Sequence, residues 1–294
     1  MKTPTPPFGR RAVLLLTAVA LLWASCAKKD SGPVTLSAAV STNVSYGSDP
    51  NQKMDVYLPA GRSSVSTPVL VLFHGGAWIS GDKSDLTPYV DSIQGLLPDY
   101  AVVNVNYRLA SVGVNLFPTQ EQDADQAMQF LAAHAQDYHV SGQFVLLGVS
   151  AGGQMALLQA YKYPEPAVAA VISFFGPTDM VDLSLHSPDP DILQALPLLM
   201  GGTATQNPSL YHSTSPVNFV TPASCPTLLL QGGKDPLVPY QEAYELQDTL
   251  NARGVVNQLV FYPDQGHGWT GADLTDSFQK VVAFLRQNAP ASAP

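Results

Sequence analysis

The sequence predicts an α/β fold in which a mainly parallel central sheet is flanked by helices, and two patterns carry that expectation. Residues 69–73, 101–105, 144–147, 168–175, 227–230 and 259–262 are near-continuous apolar runs of strand length, the composition of strands covered on both faces. Between them lie helix-length stretches at 86–97, 120–135, 153–161, 240–252 and 274–287. Strands alternating with helices imply parallel pairing through right-handed crossovers. Composition agrees: 294 residues, 46% hydrophobic and only 13% charged, suit one large domain with a well-buried core. No internal repeat or domain linker interrupts the alternation.

The chain opens with Lys2, Arg10 and Arg11, an apolar run over residues 12–23, and the small pair Ala24-Ser25 before Cys26. That run is about a dozen residues long where a membrane span needs roughly 20, so residues 1–25 read as a removable secretory signal. A cysteine directly after small residues resembles a bacterial lipoprotein signal, in which Cys26 becomes the lipidated first mature residue. Trp23 departs from that pattern, which prefers leucine three residues before the cysteine. The resemblance implies a protein exported to the bacterial cell envelope and lipid-anchored, with a secreted or periplasmic form as the alternative. Arg10-Arg11 leaves the export route open.

Residues 26–39, small and polar, form a tether to a domain spanning 40–288, and residues 289–294 read as a disordered tail. Cys225 is the only other cysteine, so no internal disulfide is expected in the mature chain, and its place before an apolar strand suits a buried thiol. Without the leader, 11 basic residues face 23 acidic ones, a net charge of −12. With no basic cluster, nucleic-acid or anionic-lipid binding through charge is disfavoured. The lipidated N-terminus is then the only membrane contact. The sequence assigns no oligomeric state.

Within the domain, residues 42–46 and 53–58 read as an edge hairpin. Met54, Val56 and Leu58 alternate with Lys53, Asp55 and Tyr57, one dry face against one wet. Residues 61–68 are a Ser-rich loop. The strand–helix alternation then runs on until residues 176–222, which are rich in Pro, Ser and Leu with little regular pattern. A loop that long in a compact domain is usually functional. It is read as an insertion over the site, its apolar stretch 192–200 lining a pocket and Pro197 preventing one unbroken helix there.

The stretch around which the rest is organised is Gly148-Val149-Ser150-Ala151-Gly152, set between an apolar strand and a helical pattern. That setting makes G-x-S-x-G a nucleophile elbow. The turn is tight, so small residues must stand two positions either side of the serine. A serine hydroxyl needs a base. Of the six histidines, His134 and His139 lie at and after a helix, where surface or capping roles fit. His186 and His212 are in the insertion without fixed support, and His74 belongs to a glycine-rich turn. His267, in Gly266-His267-Gly268-Trp269, directly follows the last strand and so shares the elbow's edge of the sheet, where open α/β sheets bind ligands. The base needs an acid to hold its tautomer. Asp235, after the preceding strand, is assigned that role over Asp264, three residues from His267, and over Asp179.

Phe73-His74-Gly75-Gly76-Ala77-Trp78 also follows a strand. The backbone N–H groups of Gly76 and Ala77, completed by that of Ala151, are read as an oxyanion hole, with His74 bracing the loop. Trp78 and Trp269 are candidate substrate-binding residues, as are Leu198 and Leu199, an apolar wall that favours short acyl chains. Asp182, Asp189 and Asp191 lack metal-ligand partners at useful spacing, and no phosphate loop occurs. No metal and no cofactor are expected.

Together, HGGAWISGDKSD at 74–85, GVSAGG at 148–153, GGKDPLVP at 232–239 and DQGHGW at 264–269 resemble the α/β-hydrolase superfamily. More narrowly they are similar to bacterial carboxylesterases with an HGGG-type oxyanion motif, related to the hormone-sensitive lipase group and to feruloyl and acetyl-xylan esterase-like lipoproteins. The likeness covers nearly all of the mature chain, and the order Ser150, Asp235, His267 is the one that arrangement demands. Two departures stand out. Ala77 replaces the motif's third glycine, which is harmless because only its N–H is needed. Ser111 follows Asn106-Tyr107-Arg108-Leu109-Ala110 where the family usually has proline. The resemblance implies a serine carboxylesterase hydrolysing short-acyl or carbohydrate-linked acetyl or feruloyl esters, on a small molecule or a polysaccharide, through an acyl-enzyme. The alternative is an arylformamidase-like exopeptidase or amidase on the same fold. A more remote one is a non-catalytic binding protein on a hydrolase scaffold, which typically loses one of the three residues kept here.

Overall fold

In the computed structural model, which describes residues 36–291 and Met1, the apolar runs become the strands of one sheet. In chain order the elements are β1 (Ala39–Ser45), β2 (Lys53–Leu58), β3 (Val69–Phe73), α1 (Thr87–Leu96), β4 (Ala101–Val105), α2 (Thr119–Tyr138), β5 (Phe144–Val149), α3 (Ala151–Lys162), β6 (Val168–Phe174), α4 (Met180–His186), α5 (Pro190–Leu199), α6 (Pro208–Thr214), β7 (Thr227–Gly232), α7 (Gln241–Ala252), β8 (Asn257–Tyr262) and α8 (Gly271–Asn288). The signal, Cys26 and the tether up to residue 35 lie outside the described residues, as do residues 292–294.

The eight strands lie in the order β1-β2-β4-β3-β5-β6-β7-β8. Only β1 with β2 and β2 with β4 pair antiparallel; the other neighbours are parallel. The mainly parallel α/β architecture is therefore as expected. Alternation along each strand divides the core in two. Val69, Val71 and Phe73 of β3, with Phe144 and Leu146 of β5, meet α2, α3 and α7 on one face. Leu70, Leu72, Val145 and Leu147 meet α1 and α8 on the other. Burial on both faces explains why these strands read as continuous apolar runs.

Three regions differ from expectation. The first is β1, which starts at Ala39 rather than 42 and carries a bulge between Ser41 and Val44, with Asn43 at φ 55°. It is an exposed edge strand with a single neighbour, so its register comes from backbone bonds to β2 and leaves no apolar signature. On β2, the supposed wet face keeps Lys53 and Tyr57 but buries Asp55, which pairs with Lys83 Nζ at 3.1 Å and accepts from Asn43 N at 2.7 Å. Second, residues 289–291 belong to the domain rather than to a disordered tail. Ala289 is buried, its carbonyl accepts from the Tyr100 hydroxyl, and Pro290 O accepts from Gln143 Nε2 at 3.2 Å.

The third is the 176–222 insertion, which is mostly helical: α4, α5, α6 and a short 3-10 turn, Pro216–Phe219. Asp179 and Asp189 cap α4 and α5, accepting from Val181 N at 2.8 Å and Asp191 N at 2.7 Å. Helices of 7 to 10 residues are too short for apolar periodicity to register. Pro197 lies inside α5 without breaking it, because the helix ends two residues later and only one backbone bond is forgone.

Candidate active site

Ser150 forms the turn between β5 and α3, at φ 55° and ψ −122°. Few non-glycine residues hold such a conformation, and the surrounding packing must impose it. The imposition is steric. A Cβ at Gly148 would overlap the Gly152 carbonyl, and one at Gly152 would overlap the Phe73 carbonyl. The Ser150 N–H donates to Phe174 O at 2.8 Å, tying the turn to β6.

His267 lies on the loop after β8, in a tight turn where Gly268 N donates to Gly266 O at 3.1 Å and Gly268 takes φ 98°. Its Nε2 stands 2.7 Å from Ser150 Oγ. Its Nδ1 stands 2.8 Å from Asp235 Oδ2 and 3.0 Å from Oδ1. A carboxylate only accepts, so Nδ1 carries the proton and Nε2 turns its lone pair to the serine. The Asp235 side chain, on the loop after β7, is 0% exposed. Its Oδ1 accepts from Leu237 N at 2.8 Å and Val238 N at 3.0 Å, and its Oδ2 from Gln231 Nε2 at 3.1 Å, which fixes the carboxylate plane. This array can move a proton from Ser150 to His267 while Asp235 compensates the charge that forms.

The rival acids lie elsewhere. Asp264 is exposed and pairs with Lys234 Nζ at 2.6 Å; Asp179 caps α4. The other histidines have local partners. His134 stacks on Phe130, His139 caps α2 in the left-handed conformation, His186 pairs with Asp182, and His212 lies beside Phe219. His74 is buried, stacked on Tyr107 with ring centroids 4.3 Å apart, and its Nδ1 donates to Gly75 O at 2.7 Å. Burial holds its pKa below the usual histidine value, the Gly75 contact opposing.

Gly76, Ala77 and Trp78 take successive positive φ values of 108°, 49° and 62°. A Cβ at Gly76 would overlap the Ser80 carbonyl. The turn is closed by Ile79 N and Ser80 N, both donating to Gly76 O at 3.0 Å. No protein acceptor takes the N–H of Gly76, Ala77 or Ala151 among the described residues, and all three residues line one cavity with Ser150 and His267.

That cavity is about 630 Å³. Its walls correct part of the sequence reading. Leu198 is 61% exposed and Leu199 sits in the core; both border a separate apolar groove with Ile79 and Val112. Ile192, one wall of the cavity, lies seven residues earlier on α5, about 10 Å along the helix axis at 1.5 Å per residue. Leu183, Leu237 and Val238 complete that wall. Trp269 does not line the cavity; it is 8% exposed and donates to Ser277 Oγ at 2.8 Å. Trp78 does line it, yet is largely committed to the scaffold. Its indole donates to Gln154 Oε1 at 3.1 Å, and Gln154 Nε2 donates to Thr214 O at 2.7 Å, so the glycine-rich loop at 74–78, α3 and the insertion are joined through one buried amide.

Sequence reasoning missed Gln154, Tyr89 and Glu242. Glu242, buried on α7, accepts from Thr178 N at 2.6 Å and Asp179 N at 3.1 Å and so anchors the loop that starts the insertion. Burial pushes its carboxyl up to about 8, the two N–H donors pulling the other way. Nothing local distinguishes it from any glutamate on an amphipathic helix.

The fold and the site can be set beside known proteins. Esterase LipC of Mycobacterium tuberculosis is 26% identical over 264 residues, covering 83% of this chain and 64% of LipC. The chain spans 48% to 64% of the length of curated relatives of this kind. Among solved structures, a bifunctional GH43-CE protein of Bacteroides eggerthii superposes with a TM-score of 0.72 at 24% identity, over 85% of this chain and 38% of that one. Est2, a thermophilic esterase of Thermogutta terrifontis, superposes with a TM-score of 0.70 at 20% identity, over 87% and 94%; it has also been solved with propionate or butyrate bound and phosphonylated by sarin. The BD-FAE family model matches residues 54–250, a span that runs from β2 through α7 and includes Ser150, the glycine-rich loop at 74–78 and Asp235: the chain belongs to the BD-FAE family.

Proposed function

We propose that the protein is a serine carboxylesterase that hydrolyses short-acyl or carbohydrate-linked esters. The observation that carries this reading is the continuous hydrogen-bonded array from Asp235 through His267 to Ser150 Oγ, with 2.8 and 2.7 Å links, opening on a cavity whose rim holds the free N–H groups of Gly76, Ala77 and Ala151. As Oγ attacks the ester carbonyl carbon, His267 Nε2 takes its proton and the carbonyl oxygen gains the negative charge. Each amide aimed at that oxygen is worth about 3 to 4 kcal/mol in the transition state. Collapse of the tetrahedral intermediate breaks the carbonyl carbon–alkoxy oxygen bond, and His267 hands its proton to the departing alcohol. Water, deprotonated by His267, then attacks the acyl-enzyme, releases the acid and restores the serine.

Esters rather than amides are supported by the esterase names of LipC and Est2, and short acyl groups by the propionate and butyrate found with Est2. A carbohydrate-bearing alcohol is supported by the carbohydrate esterase from gut microbiota among the structural neighbours. The cavity of about 630 Å³ leaves room for a sizeable alcohol beside a two- to four-carbon acyl group. The wild-type optimum across p-nitrophenyl esters is expected between acetyl and butanoyl. Ile192→Ala or Leu183→Ala should move it to longer chains, each accommodated methylene being worth about fourfold in kcat/KM, whereas Leu198→Ala should not move it. A wild-type optimum at ten carbons or more would refute the short-acyl reading.

The address is part of the same proposal. Cys26, lipidated as the first mature residue, would anchor the enzyme in the bacterial cell envelope, each buried methylene contributing about 0.8 kcal/mol. Cys26→Ala should move activity from the membrane to the soluble fraction while sparing kcat. Mass spectrometry of the mature N-terminus decides the matter: an unmodified N-terminus beginning elsewhere makes the protein secreted or periplasmic.

A further inference from the structure

The cavity has two walls. The one contributed by the insertion and the loop after Asp235 is aliphatic: Leu183, Ile192, Leu237 and Val238. The other carries Asp85 and Leu86 just before α1, Tyr89 in its first turn, and Phe175 directly after β6. Tyr89 stands out there because its hydroxyl has no hydrogen-bond partner among the described residues, although its ring is firmly held. The edges of Phe174 and Phe278 clamp it, with centroids at 5.5 and 5.1 Å and interplanar angles of 75° and 74°. Phe174 in turn adjoins Phe175, whose ring lies edge-on to His267 at 4.7 Å. The ring is therefore held in an aromatic cluster that extends through Phe174 to Phe175 beside His267.

The protein satisfies its buried phenols. Tyr46, Tyr107 and Tyr211 donate to the carbonyls of Asn106 at 2.6 Å, His74 at 2.9 Å and Gly202 at 3.1 Å. The Tyr89 hydroxyl, on a half-buried side chain that lines the cavity, is left as an unspent donor and acceptor. Of the other polar groups on this side, Ser80 Oγ donates to Gly76 O at 3.0 Å, and the exposed Asp85 has one oxygen, Oδ2, accepting from Asp82 N at 3.0 Å in a capping box. Burial raises the Tyr89 pKa to about 12, so the phenol stays neutral at physiological pH. A neutral donor–acceptor between Leu86 and Phe175 matches a hydroxyl. It does not match a carboxylate, whose desolvation a neutral phenol could not offset and which Asp85 on the same wall would repel.

We propose that Tyr89 is a specificity-determining residue whose hydroxyl exchanges a hydrogen bond with a neutral hydroxyl carried by the ester substrate. This rests on the esterase reading above. The substrate hydroxyl can belong to the acyl group or to the alcohol, and matched substrate pairs separate the two. For the acyl arm the pair is methyl 3-phenylpropanoate and its 3- or 4-hydroxyphenyl counterparts. For the alcohol arm it is 2-phenylethyl butanoate and its 3- or 4-hydroxyphenyl counterparts.

With the full-length enzyme, the hydroxylated member is expected to be favoured about tenfold in kcat/KM in one arm, the size of one neutral hydrogen bond. In Tyr89→Phe, which keeps the ring and its aromatic contacts, that preference should fall to near one through loss on the hydroxylated member. A preference that survives in Tyr89→Phe overturns the assignment. So does the absence of any preference in the wild type, or an equal loss on both members of a pair, which marks a structural role. Failure of the esterase reading itself looks different: no ester is turned over by the wild type, and a phosphonate leaves Ser150 unlabelled.

Discussion

Ser150→Ala is expected to lower ester turnover by about 10⁴-fold or more while leaving the fold intact. Alanine keeps the Cβ that the elbow already accommodates, so the strained turn at φ 55° is neither relieved nor worsened. What is lost is Oγ, the atom 2.7 Å from His267 Nε2, and with it any acyl-enzyme. The oxyanion amides and the cavity remain, so residual rate above water is still expected from binding and charge stabilisation alone. The checks are steady-state kinetics on p-nitrophenyl acetate, a thermal melt, and labelling by a fluorophosphonate followed by peptide mapping. Labelling should mark Ser150 in the wild type and vanish in the variant. Turnover retained in the alanine variant, or a label on another serine, ends the assignment.

Asp235→Asn should be nearly as damaging, at about 10⁴-fold in kcat, although it changes a single atom. Leu237 N and Val238 N can still donate to an amide oxygen, so the loop keeps its shape. The amide NH₂ then faces His267 Nδ1, which must accept rather than donate. The ring proton moves to Nε2, and the lone pair that should receive the serine proton is gone. Two controls make the test specific. Asp264 is exposed and bound only to Lys234, and exposed ion pairs are worth little, so Asp264→Asn should cost about twofold at most. Asp179→Asn keeps an N-capping side chain on α4 and should likewise spare kcat. A crippled Asp264→Asn beside a healthy Asp235→Asn would show that the acid lies elsewhere.

Much of this site was legible because its requirements are local. The elbow's glycines are demanded by contacts within one turn and one neighbouring strand. His267 and Asp235 could be singled out because each follows an apolar run, and parallel strands deliver their following loops to one edge of the sheet. Strands β3 to β7 announced their positions, since burial on both faces leaves a near-continuous apolar run. β1 escaped that logic by being exposed, and α4 to α6 escaped it by being short.

The amino-acid sequence by itself determined the α/β class, the strand that carries Ser150, the convergence of Asp235 and His267 on it, and the glycine-rich turn beside them. Those features depend on steric limits within a few residues and on the chain's alternation of strand and helix. Tertiary structure alone decided which side chains wall the cavity. Leu198, Leu199 and Trp269 look as apolar in sequence as Ile192 and Leu183, but the axial rise of α5 and the packing of Trp269 against Phe175 and Tyr262 direct them elsewhere. Tyr89, Gln154 and Glu242 were silent for the same reason: what each does is set by the partner that a distant segment places, or fails to place, against its polar atoms.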